Sequence, residues 1–145
     1  MSDTEEAIEQ KAPHKIVEDA VSTATANDSY LNLSTELKNL EKLPIGWDGY
    51  DAAAPNEIAT YWCQEVIEVL EKSNLLPTGL TPSVEGGVGV YFQKGNNYAD
   101  IECLNTGTII AVMSDRRHDP IVWEIEHSRS HIKEAVETIS AFLGD

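Results

Sequence analysis

The chain predicts an α+β domain: a four-stranded antiparallel meander sheet with helices packed on one face, in the order α-α-β-β-β-β-α, behind a mobile acidic N-terminal segment. Three observations carry this. Ile58, Trp62, Val66 and Leu70 recur every fourth position in one long run, the spacing of an amphipathic helix. Between 88 and 125 the apolar residues instead alternate, and the runs are broken by Gly, Asn and Pro, the mark of short strands joined by turns. A last run, from Ser128 to Gly144, returns to helical spacing. With 145 residues, 41% of them hydrophobic, the chain affords one core and so one domain.

Residues 1–34 are rich in acidic, Ser, Thr, Asn and Ala positions and read as a flexible segment. Within it, Ile16, Val17, Ala20, Val21 and Ala24 would form a modest stripe on a short helix from about Lys15 to Thr25. The domain proper spans 35–145. Ser34 suits the cap of a short helix holding Leu37 and Leu40, which Leu43-Pro44 ends. There follows the turn Gly46-Trp47-Asp48-Gly49-Tyr50, whose Trp47 is expected to anchor the flanking helices against the sheet. Pro55 suits the first turn of the long helix, with Asp51 as a further candidate cap. That helix runs to about Lys72, with Ile58, Trp62, Val66, Ile67, Val69 and Leu70 inward and Glu57, Gln64, Glu65, Glu68 and Glu71 outward.

Leu76-Pro77-Thr78-Gly79-Leu80-Thr81-Pro82 reads as a linker. Val88, Val90 and Phe92 then share one side of a first strand, and Lys94-Gly95-Asn96-Asn97 turns the chain. Ala99, Ile101 and Cys103 alternate with Tyr98, Asp100 and Glu102 along the second strand; Asn105-Thr106-Gly107 leads to a third over 108–113. A fourth, Ile121 to Ile125, follows the polar link from Asp115 to Pro120. Ser128 or Ser130 caps the final helix, whose Ile132, Ala135, Val136, Ile139, Phe142 and Leu143 form one face, and Gly144 ends it. Helices on one face leave the other for solvent or a partner, and that open face would carry Tyr91, Tyr98, Asp100, Glu102 and Glu124.

Charge narrows the function. Twenty-five acidic against ten basic residues give a net charge of −15, which repels nucleic-acid phosphates and anionic membranes and favours a basic protein partner. Cys63 and Cys103 are too few for a disulfide framework and read as small buried side chains. The acidic N-terminus lacks a signal-peptide pattern and no apolar run spans a membrane, so the expected location is the cytoplasm.

Motifs for chemistry are sparse. His127 and His131 stand four apart beside Glu126, a spacing that presents two imidazoles to one metal, although helix-start histidines in solvent explain it more simply. Glu85-Gly86-Gly87-Val88-Gly89 resembles a phosphate loop only superficially: no Lys-Ser/Thr follows, and it enters a strand, so a turn or bulge is the better reading. Arg116-Arg117-His118 is the one basic cluster and reads as a solvated loop or an anion grip. No nucleophile elbow or reactive-cysteine pattern is present.

The aromatic turn, followed by Ala52 and Pro55, a long helix, and Pro82-Ser83-Val84-Glu85-Gly86-Gly87-Val88 entering a Phe92-bearing strand, resembles a family of small bacterial and phage-associated proteins. The resemblance covers about residues 35 to 125 and carries over no catalytic residues. Members usually have a small residue where this chain has Asp51, which marks that charge as a candidate chain-specific contact.

The expected function is a non-enzymatic, acidic protein-binding module, an inhibitor, antitoxin or accessory subunit of a bacterial or phage conflict system. It would need no cofactor and would engage a protein with a basic surface, with a homodimer as a further expectation. Nucleic-acid mimicry by the carboxylates of the long helix is one alternative. A small metal protein or enzyme built on His127 and His131 is the other. The candidate contact residues are Tyr50, Asp51, Glu57, Glu65, Glu68, Glu71, Tyr91, Tyr98, Asp100 and Glu102.

Overall fold

The computed structural model describes residues 28–144, and the helix expected over 15–25 lies outside them. A first helix, α1 (28–40), is followed by the aromatic turn and by α2 (Glu57–Lys72). Five strands then run in sequence: β1 (Gly79–Pro82), β2 (Gly87–Lys94), β3 (Asn97–Leu104), β4 (Ile109–Ser114) and β5 (Ile121–Ile125), and α3 (Arg129–Leu143) closes the order. The fold is α+β, and each strand pairs antiparallel with the next, giving one sheet in the order β1-β2-β3-β4-β5. The expected meander is therefore correct in kind and one strand short. β1 was hidden because prolines flank and end it; only one of its sides pairs, so a missing amide hydrogen is tolerated there.

Two tight connections set the register. Gly95-Asn96 alone joins β2 to β3, and Gly95 takes φ +61°; this pairs Lys94 with Asn97 and, along the same ladder, Tyr91 with Asp100. At the other end the Gly-Gly pair is a turn, as expected. The Gly86 amide donates to the Ser83 carbonyl at 2.9 Å, and a Cβ on Gly87, at φ +143°, would overlap the Cys103 carbonyl and stand 2.8 Å from Leu104 Cα.

The core lies between the sheet's inner face and the helices. Val88, Val90, Phe92, Ala99, Ile101, Cys103, Ile109 and Ala111 meet Ala59, Cys63, Val66, Ile67 and Leu70 of α2 and Ile132, Val136 and Ile139 of α3. The stripe on α2 is rotated from the expected one: Ile58 is 49% exposed, and Ala59 and Cys63 are fully buried. Both cysteines are free and buried, and Cys63 contacts Cys103.

The starts of α1 and α2 differ from the sequence reading. Ser34 lies inside α1 rather than capping it, and Tyr30 and Leu33 ahead of it are core residues; the Tyr30 hydroxyl donates to the Leu70 carbonyl at 3.4 Å. Asn56, not Asp51, caps α2, its Oδ1 accepting the Ala59 amide at 2.9 Å, and Pro55 lies just ahead of the cap instead of in the first turn. Asn56 is in turn held by Asn105 of the β3–β4 turn, whose Oδ1 accepts the Asn56 amide at 2.8 Å and whose Nδ2 donates to the Ala54 carbonyl at 3.0 Å. Ser128 caps α3 and Gly144 closes it at φ +87°, as the sequence indicated.

The aromatic turn is held by its own backbone. Asp48 Oδ1 accepts the Tyr50 amide at 3.0 Å and the Ala52 amide at 3.3 Å, and the Trp47 indole donates to the Ala53 carbonyl at 3.0 Å. Trp47 is only half-buried and lies outside the core cluster, so it latches the loop instead of anchoring helices to the sheet.

Candidate functional site

Helices cover one face of the sheet, and the pleat sends every second residue to the other. One row across that open face runs Gly79, Tyr91, Asp100, Val112 and Val122; the next runs Thr81, Gly89, Glu102, Ile110 and Glu124. Tyr98 stands beside Asp100 on β3, opposite Gln93 and Ser114. Four of the sequence candidates, Tyr91, Tyr98, Asp100 and Glu102, are thus neighbours, as alternation along two hairpin strands requires.

Asp100 is the unusual member. It is 8% exposed, the one buried charged residue among those described, although it belongs to the face opposite the described helices. Oδ2 accepts a 2.6 Å hydrogen bond from the Tyr98 hydroxyl, while Oδ1 is buried with no hydrogen-bond partner. Burial pushes the Asp100 carboxyl above the usual range, against the opposing effect of the Tyr98 hydroxyl. Glu102 is also raised, first by burial and then by the charges of Asp100 and Glu85. The Tyr98 phenol is held well above its ordinary value by burial, by its bond to Asp100 and by the surrounding carboxylates. The cluster therefore concentrates negative charge where water is scarce.

Two glycines shape the ground beside it. A Cβ on Gly79 would stand 3.2 Å from the Tyr91 ring, so the ring lies over the bare backbone of β1. A Cβ on Gly89 would meet Thr81 at 3.5 Å and Glu102 at 3.6 Å, so glycine leaves a shallow trough between those side chains. On the far side, Val112 is half-buried and Val122 is 60% exposed, which gives the acidic aromatic cluster an apolar flank. The sequence reading missed these neighbours. The glycines could not be placed without β1, and the valines became neighbours only through the β3–β4–β5 register.

The other candidates are dispersed. Tyr50, 86% exposed, and the exposed Asp51 sit on the aromatic turn, with Ile45 nearby in sequence and 83% exposed. Glu57 and Glu71 are exposed on α2, but Glu65 and Glu68 are half-buried and do not form the expected outward acidic row with them. Arg129 Nε donates to Glu65 Oε1 at 2.7 Å and its Nη2 donates to Glu68 Oε1, because α3 packs along α2. Those bonds hold Arg129 firmly cationic. The Glu68 carboxyl sits below its ordinary value: burial raises it, but hydrogen bonds from Arg129 and Gln64 outweigh that effect.

The histidines part company. His127 lies 4.7 Å from the Trp62 ring, centroid to centroid, and donates from Nε2 to the Gly107 carbonyl. His131 Nδ1 is 2.6 Å from Ser128 Oγ. No cluster of three potential metal ligands occurs among the described residues. In the basic loop, Asp115 Oδ1 accepts the amides of Arg117 and His118, Asp115 Oδ2 meets His118 Nδ1 at 2.9 Å, and Arg116 reaches Gln93 at 3.3 Å. Asp115 closes this turn, and the hydrogen bonds it accepts hold its carboxyl well below the usual range. No helix among the described residues is long and apolar enough to cross a membrane.

No protein-family model, no curated protein and no solved structure matches this chain.

Proposed function

We propose that this protein is a non-enzymatic binding module that docks a basic protein partner on the open face of its sheet, and that it acts in the cytoplasm as an inhibitor, antitoxin or accessory subunit. The observation that carries the reading is Asp100, a carboxylate with an unpartnered buried oxygen on the face that none of the described helices covers. Burying an unpaired charge costs free energy, and folding alone gains nothing from doing so. A complementary cation supplied by a partner would offset that cost. Tyr91 and Tyr98 add rigid amphipathic area, Val112 and Val122 add an apolar flank, and the −15 net charge draws a basic protein towards the face. Two free buried thiols suit a reducing compartment.

A photo-crosslinking side chain in place of Val112, with a control in place of the exposed Glu134 on α3, tests the reading in cells of the native host. The expected result is one basic protein crosslinked from 112 and not from 134. Equal crosslinking from both positions, or none from 112, would count against it.

A further inference from the structure

We propose that the open sheet face recognises an arginine side chain of its partner, received between Tyr91 and Tyr98 and held by Asp100 and Glu102. The inference rests on the protein-binding reading above and specifies its chemistry. One acceptor on the face is left over: Asp100 Oδ1 has no partner, and the Glu102 carboxylate stands two residues along the same strand face, while Arg116 is engaged by Gln93. A guanidinium supplies several donors in one plane, so a single group can reach both carboxylates; an ammonium is a more strongly hydrated point charge that loses more on entering a dry site. It is also flat, and the setting favours a flat group. Tyr91 lies over Gly79, and Gly89 leaves a trough between Thr81 and Glu102, so a planar cation can stack against tyrosine without meeting a Cβ at the centre of β2.

Tyr98 acts as a positioning residue. Its hydroxyl already occupies Oδ2 at 2.6 Å, which fixes the carboxylate and leaves Oδ1 as the remaining acceptor. Because Oδ1 is occluded in the free protein, entry requires side chains around Asp100 to shift, and Tyr91, its cross-strand neighbour, can do so without breaking the Tyr98–Asp100 bond. The Tyr91 ring is only half-buried, so a change of χ1 is available to it. Among the described residues the other carboxylate clusters are already engaged: Glu65 and Glu68 have Arg129, and Asp115 has its own turn and His118.

The test is an NMR titration of the full chain with a blocked peptide of alternating arginine and threonine, beside peptides with citrulline or lysine in place of arginine. Citrulline keeps the planar shape and removes the charge; lysine keeps the charge and removes the plane. Amide shifts are expected in β2 and β3 around Tyr91, Asp100 and Glu102. Affinity is expected to fall about tenfold or more for citrulline, for lysine, and for Asp100→Asn titrated with the arginine peptide. Tyr98→Phe should weaken binding less and leave the arginine-over-lysine preference in place, which a general loss of folding would not do. The Glu57→Gln/Glu71→Gln pair, which removes the same kind of charge from α2, should change affinity less than threefold at physiological salt.

Equal binding of arginine and lysine peptides, or shifts centred on α2, would overturn the arginine site while leaving the basic-partner reading standing. Failure of all three peptides to bind at low salt would overturn both.

Discussion

Asp100 imposes a thermodynamic cost on the free protein, and the cost has a pH signature. Burial raises its folded pKa above the value of about 3.9 for an unfolded chain. Between those values the native state keeps a proton that the unfolded chain has released, so stability falls as pH rises through that window and the deficit is complete above the folded pKa. Asp100→Asn removes the charge and relieves Glu102 as well. It should stabilise the protein by about 1 kcal/mol at pH 7.5, and the gain should vanish below about pH 3.5. Urea unfolding of the two proteins at both pH values measures this, and a destabilised variant at pH 7.5 would show that Asp100 serves the fold. Gly87 is the opposite kind of residue. Gly87→Ala should cost at least about 2 kcal/mol, since the new methyl meets the β3 backbone at a φ that L-residues rarely adopt.

Among the elements, the Asn56–Asn105 pair ties the start of α2 to the β3–β4 turn and so sets how the helix enters the core. Asn105→Ala removes the acceptor for the Asn56 amide and the donor to Ala54, and should cost about 1–2 kcal/mol in a thermal melt. Arg129→Gln, by contrast, should cost no more than about 1 kcal/mol, because its bridges to Glu65 and Glu68 remain partly in water. How far each element could be read beforehand follows from how local its cause is. The ends of α3, the Gly95-Asn96 hairpin and the alternation of β2 and β3 are set by neighbouring residues, and all were legible. β1 was not, because a four-residue edge strand between prolines gains its identity only from pairing with β2. The facing of Glu65 and Glu68 was hidden for the same reason: a helix wheel places them away from one stripe, but only the docking of α3 supplies Arg129. Trp47 misled because a large aromatic suggests a core anchor, whereas its indole is used to close a loop.

At the scale of the molecule, the helices occupy one side of the sheet and the other carries a concentrated acidic, aromatic and apolar surface. Tyr91, Tyr98, Asp100 and Glu102 could be grouped from the sequence by alternation and one tight hairpin. The burial of Asp100 could not, since its central place between Tyr91 of β2 and Val112 of β4 follows only from the paired register. A basic partner attracted by this face should associate faster at low ionic strength, with the on-rate falling as salt rises and the off-rate changing less. Stopped-flow mixing across a salt series measures both. The most direct test of the binding face is the affinity of the crosslinked partner for Asp100→Asn, titrated calorimetrically against the unaltered chain. The variant should be folded and at least as stable, yet bind about tenfold or more weakly. Unchanged affinity in a folded variant would contradict the assignment of the open sheet face as the docking surface.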